Sequence, residues 1–521
     1  MSISTNTMFS FAFDKLSADI KDWKIIINGH TIECSKENAE IISQTISTHN
    51  STEYQKKDEE NSFYIEIPEF LDSLVCAETD YQLFDYIFNI EPIQITKTNK
   101  DVLKIFADKF EIEDLTKIIE VFEQVLDIIS NDNNFQAETE ISKELINISE
   151  DKFDFLIDKL QDIEKNDNEF LISNFFLTTC FIRPNKIELL INLLKKYEEI
   201  TKGNQFEEFK KIILKPRKST PPSEICFITR YLYSIQEINE NQILASLKNR
   251  YENSSDLIFD KYNFSIEFED SDDFSAGIQK VDFFIEYSKK GYNPNKIYQS
   301  ILNDDLDLFT QLIAENSHEN KFNEKIQLFD LERNSNLFLE YNEHFRYLDL
   351  AAFYGSEKIF NFILLNVDQS KSIEKTTVKF SFISGNILII QQCVETISLD
   401  DDLLIDCLYL TIEYNHHEVF EWLIENYDTI ESGLFDQKSV NHSFLDKAIK
   451  YNNFEVISYL FSIGIDYSSL FVLSLNYSQF NLAKLALNLP YHCNFSSKYI
   501  KKIRNSPFSY RYKEIFIVFI F

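Results

Sequence analysis

The sequence predicts a mostly α protein in three parts: an N-terminal α+β region, a helical connector and a C-terminal α-solenoid of repeated helix pairs. Three observations predict it. Residue classes return at fixed offsets through the C-terminal half, strand-like alternation is confined to the N-terminal region, and the stretch between reads as helices separated by polar turns.

Trp23 to Ile27 and Thr31 to Cys34 alternate around Asn28-Gly29, a dipeptide that suits a two-residue hairpin because both positions accept a positive φ. A helix is expected over Lys36 to Ser47, then a polar insert and a strand from Phe63 to Ile67, ended by Pro68. Helix Leu83 to Phe88, strand Ile93 to Thr96 and helices Asp101 to Phe110 and Ile112 to Leu126 follow. In the connector, Phe175 to Phe181, a break at Pro184, and the doublets Leu189-Leu190 and Leu193-Leu194 read as helix, break and helix. Asn253 to Phe274 is rich in Asp and Phe without a period and reads as a long loop or an insertion.

The solenoid rests on anchors at Asp304, Gly355, Gly385, Asn415, Asn452 and Ser478. Seven residues before each stands an apolar side chain, namely Ile297, Leu348, Val378, Leu408, Leu445 and Phe471. Four before stands a small one: Ser300, Ala351, Ser381, Thr411, Ala448 and Ser474. Apolar doublets recur four and five residues after the anchor, as in Ile359-Phe360, and again eight and nine after, as in Ile363-Leu364. That spacing is one face of a helix. Each repeat is therefore two short helices joined where Gly or Asn takes the positive φ that ends the first. A single pair would leave its faces exposed, so the pairs must stack.

Composition limits the function classes. A formal charge of −34 opposes encounter with nucleic acid or anionic membranes in general. A local basic cluster, Lys210, Lys211, Lys215, Arg217 and Lys218, runs into Ser219-Thr220-Pro221-Pro222. It reads either as a solvated linker or as a regulatory loop in which phosphate on Ser219 or Thr220 would pair with those bases. Cys34, Cys76, Cys180, Cys226, Cys393, Cys407 and Cys493 are odd in number, dispersed and free of Cys-x-x-Cys, which fits a reducing, cytoplasmic compartment. No secretory signal is evident, and the apolar tail Ile515 to Phe521 is far shorter than the ~20 residues of a membrane helix.

The repeat resembles the ankyrin repeat, whose Thr-Pro-Leu-His-x-Ala signature corresponds to Arg346-Tyr347-Leu348-Asp349-Leu350-Ala351 and Ser443-Phe444-Leu445-Asp446-Lys447-Ala448. Leu and Ala survive while Thr-Pro and His do not, so the repeats are degenerate. The order Leu83 to Phe88, Ile93 to Thr96 and Val102 to Leu115 in turn resembles a BTB/POZ domain. These resemblances imply segments at 1–21 (N-terminal), 22–130 (BTB/POZ-like), 131–290 (helical connector), 291–494 (degenerate ankyrin repeats) and 495–521 (cap or incomplete repeat). The BTB resemblance implies a homodimer, with Phe9 to Ile20 as the segment that can pair with a second subunit, or can instead pack on its own domain. It also implies a possible cullin partner, although the hydrophobic-x-Glu motif of cullin-binding members has no clean copy near Ser47 to Tyr54.

Sites of chemistry are sparse. The sequence has no Gly-x-Gly-x-x-Gly, no phosphate-binding Gly-Lys-Ser/Thr loop and no Gly-x-Ser-x-Gly. His417 and Glu421 share a helix face, as zinc ligands would, so His417, Glu418 and Glu421 define a zinc-hydrolase alternative; the repeat register accounts for the same residues. The ankyrin resemblance points instead to residues just before the anchors: Phe353, Tyr354, Glu413, Tyr414, Lys450, Tyr451 and Tyr477. A row of tyrosines offers contact area with a polar tip, or else packs between adjacent helices. The sequence thus predicts a non-enzymatic protein-binding scaffold without cofactor or metal, with a cullin-ligase substrate adaptor and the zinc hydrolase as alternatives.

Overall fold

The computed structural model describes residues 10–11, 23–27, 30–43, 55–57, 63–67, 78–88, 93–164, 169–183, 186–214, 228–229, 231–233, 235–239, 242, 295–315, 345–367, 373–427, 438–464, 469–477 and 479–489. The chain is mostly helical. It divides into two compact units, one of Met1–Gln136, Ile424–Ile449 and Glu455–Phe521, the other of Ala137–Leu423 and Lys450–Phe454.

The first unit opens on the expected sheet. Strands β1 (Ser10–Phe11), β2 (Trp23–Ile27), β3 (His30–Cys34), β4 (Gln55–Lys57), β5 (Phe63–Ile67) and β6 (Ile93–Gln94) form a four-stranded sheet in the order β3-β2-β5-β4 and a separate β1-β6 pair. Ile27 pairs with His30, the register of a two-residue hairpin, and β2 lies parallel to β5. Ser10 and Phe11 pair with Gln94 and Ile93; the rest of Phe9 to Ile20 lies outside the described residues. Helices α1 (Lys36–Ile42), α2 (Glu78–Phe88), α3 (Lys100–Phe110) and α4 (Glu113–Asn131) follow. Several boundaries differ from expectation: α2 begins at Glu78, and α4 runs on to Asn131. Described α1 stops at Ile42, and β6 stops at Gln94 because Thr96 and Asn99 close a turn on each other's backbone N–H groups. Phe84, Phe88, Phe106 and Phe110 are fully buried; Phe84 stacks on Phe106 at 4.1 Å, and Phe88 meets Phe110 edge-on.

The same unit takes in late parts of the chain. These include most of α18 (Lys438–Lys450) and α19 (Phe454–Ser462), and all of α20 (Leu470–Asn476) and α21 (Phe480–Asn488), numbered in the order of the whole chain. The Lys97 N–H donates to the Ser462 carbonyl at 2.7 Å, and α21 packs on α4.

The second unit begins in α5 (Asn133–Ile146) and continues through α6 (Phe153–Glu164), α7 (Glu169–Ile182), α8 (Ile187–Thr201) and α9 (Gln205–Leu214). Helix α7 is apolar on every side, with Phe175, Phe176, Leu177 and Cys180 buried, as befits the centre of a helical layer. Four helix pairs follow: α10 (Lys296–Leu302) with α11 (Leu306–Glu315), α12 (Tyr347–Tyr354) with α13 (Glu357–Asn366), α14 (Lys375–Ser384) with α15 (Ile387–Thr396), and α16 (Asp401–Glu413) with α17 (His417–Asn426). First helices pack on first helices, α10 on α12, α12 on α14 and α14 on α16. Second helices α11, α13 and α15 pack likewise.

The repeat columns account for this stacking. Ser300, Ala351, Ser381, Thr411, Ala448 and Ser474 are all fully buried, where a larger side chain would push neighbouring helices apart. The hydroxyls of Ser300, Ser381 and Thr411 fold back onto carbonyls three residues earlier, which gives each an acceptor within its own helix. Asp304, Gly355, Gly385, Asn415 and Asn452 have φ of 51°, 75°, 70°, 58° and 54°, the left-handed turn expected at the anchors. Ser478 lies outside the described residues, as do Asn253 to Phe274, residues 215–220 and the tail from Ile515.

Candidate functional site

The turn ends of the helix pairs carry a side-chain ladder that the apolar columns did not reveal. At four of the anchors the next residue reaches back to the preceding pair. Ser356 donates to the Ile301 carbonyl, Asn386 to Gly355 (3.1 Å), His416 through Nε2 to Ile383 (2.7 Å) and Asn453 to Ile412 (3.1 Å). Their acceptors lie at the C-terminal end of a first helix or in its turn, where carbonyls lack intrahelical partners. Two anchors reach forward instead: Asp304 accepts from the N–H groups of Lys358 and Ile359, and Asn415 donates to the Tyr451 carbonyl. The signal was present in the sequence as an unbroken polar column, Ser356, Asn386, His416 and Asn453, one step past the anchors.

A family model described as "Domain of unknown function (DUF3447)" matches residues 369–436. No curated protein and no solved structure matches the chain. The matched stretch contains the third and fourth helix pairs, and so the Asn386 and His416 rungs of the ladder.

Within it, His416 is held neutral. Its surroundings withdraw water and the Arg183 charge lies nearby, which together push its pKa down to about 4. With its acceptor a carbonyl, Nε2 carries the proton. A Cβ on Gly385 would run into the His416 ring, so glycine there serves both the positive φ and the close approach of this side chain.

At the other end of the first helices, a buried polar cluster joins the second and third pairs. Asp349 accepts from the Arg346 N–H (3.0 Å), from Arg346 Nε (3.1 Å) and Nη2 (3.1 Å), and from Thr377 Oγ1 (2.6 Å). Thr377 in turn accepts from Arg346 Nη2 and the Glu374 N–H. Further cross-links are Lys379 to Asp406 (2.6 Å) and, in the first unit, Tyr477 to Asp446 (3.1 Å).

The residues named from sequence for a binding surface separate on inspection. Phe353 and Tyr354 are half-buried and meet edge-on at 5.1 Å; Glu413, Lys450 and Tyr477 are also half-buried. Tyr414 and Tyr451 are 8% and 3% exposed, which removes them as open contact residues. The connector reaches the same turns. Arg183, just past α7, donates to the Tyr414 carbonyl (3.2 Å) and to Ile182 (3.1 Å), placing its cation at the negative ends of two helices. Ser142 Oγ donates to the Asn452 carbonyl (2.7 Å), and the Phe175 ring lies 5.9 Å from Phe454. The turn end of the later pairs is thus covered by α5 and α7. Nothing in the sequence signals this, because the acceptors are backbone carbonyls.

Of the zinc-hydrolase set, His417 lies 4.0 Å from its neighbour Glu418. Among the described residues, no group of three or more His, Cys, Asp or Glu is placed to hold a metal ion. Cys34, Cys180, Cys393 and Cys407 are buried free thiols; burial pushes the Cys393 thiol up to about 12, so it packs rather than reacts. Cys76, Cys226 and Cys493 lie outside the described residues. In the basic cluster, Lys210 pairs with Glu207 and Glu237, and Lys211 with Glu208. No described helix is long and apolar enough to cross a membrane.

Proposed function

We propose that this chain is a non-enzymatic interaction scaffold, with an ankyrin-like solenoid that binds a protein partner and a BTB-like N-terminal module that makes it a dimer. The observation that carries the reading is the recurrence of one turn geometry, with a left-handed anchor and a polar residue after it tying each pair to its neighbour. Such a stack is stabilised by nearest-neighbour interfaces and presents repeated positions to a partner. The half-buried Phe353 and Tyr354 supply ring area at one of those positions.

Light scattering of the full chain tests the dimer, and a photo-crosslinking side chain at Phe353 tests the partner. A dimer and one discrete cross-linked protein are expected. A chain that stays monomeric at all concentrations would refute the module's role, and cross-linking to no protein would refute the solenoid's.

A further inference from the structure

The connector indicates what the turn end of a helix pair accepts. At the fourth pair, Arg183 donates to the carbonyl of Tyr414, one residue before the anchor. Two residues after the anchor Asn452, Phe454 is covered by Phe175. A helix that carries an aromatic face and ends in arginine therefore satisfies both positions.

The third pair carries both kinds of position itself, where α7 reaches one on each of two adjacent pairs. Ser384 precedes the anchor Gly385, and its hydroxyl is turned back to the Ser381 carbonyl. Among the described residues no donor reaches the Ser384 main-chain carbonyl. Two and three residues after the anchor, Ile387 and Leu388 are 38% and 47% exposed, where Phe454 is 2% exposed at the equivalent place. Phe353 and Tyr354, at the turn end of the second pair, stand half-buried in the neighbouring repeat. The chain's charge of −34 draws a cationic segment toward it.

We propose that the turn end of the second and third pairs, at Tyr354, Ser384, Ile387 and Leu388, docks an apolar helix of a partner protein that ends in arginine, as α7 docks on the later pairs. The proposal rests on the scaffold reading and names its surface and ligand chemistry.

Selection of a phage-displayed library of helical peptides on the full chain tests it. Enriched peptides should pair an apolar face with an arginine in the last turn. Leu388→Asp, a change at an exposed position, should weaken the best of them by about tenfold or more. Replacing the peptide arginine by glutamine should weaken it severalfold, and Leu365→Asp, at the far end of α13, should leave it unchanged. Unaltered melting of both variants shows that they fold. Acidic winners, or winners indifferent to Leu388→Asp, overturn this placement and leave the scaffold reading standing. The absence of any winner overturns the placement and counts against the scaffold as well.

Discussion

His416 is a histidine used as a neutral donor in a place where a charge would be costly. Its folded pKa of about 4 lies below the ordinary 6.5, so the folded chain takes up this proton less readily than the unfolded chain. The sign follows directly: its contribution is fully present above pH 6.5 and is lost as the pH falls toward 4, by at most about 3 kcal/mol. Urea denaturation at pH 7.0, 5.5 and 4.5 should show this loss, and His416→Gln should flatten that part of the profile. Equal pH slopes for both proteins would exclude the assignment. The sequence showed only that the position one step past the anchor is polar; the neighbouring His417, with Glu418 and Glu421, suggested metal chemistry, and a backbone carbonyl as partner leaves no trace in residue identity.

Among the elements, the boundary between α12 and α14 holds the most demanding polar arrangement. Asp349 is 1% exposed and Arg346 is 8% exposed, so neither partner recovers water if the other is removed. Asp349→Ala should cost about 3 kcal/mol, because the buried Arg346 guanidinium then keeps only the exposed Glu374 carboxylate as its ionic partner. Thr377→Val should cost about 1–2 kcal/mol, because the Glu374 N–H loses its acceptor. Urea titrations of both variants check this, and near-equal small losses would mean that the cluster is solvated. The helices themselves were largely legible. Small and apolar columns follow from burial, which restricts residue class, and the anchors follow from a positive φ that few residues accept. The surface was less legible, since Tyr414 and Tyr451 occupy the same register as Tyr354 and differ only in what a distant helix lays over them.

At the scale of the molecule, the first unit gathers Met1–Gln136 with segments that follow Leu423. A chain ending after Tyr427 should therefore lose contacts in its N-terminal part, although that part is intact in sequence. Hydrogen exchange in α4 is expected to rise by about tenfold or more relative to the full chain. Unchanged protection would mean that the N-terminal part is self-sufficient. Nothing in the sequence signalled the late segments, because packing between remote helices has no local pattern.

The Lys97–Ser462 hydrogen bond also sets an order of events during synthesis. A ribosome delivers the sheet and its helices long before α19 exists, so this joint closes late, with a large loop entropy to overcome. The N-terminal part must then wait with that flank uncovered while the rest of the chain emerges, the stage at which a chain of this size is most open to misassembly.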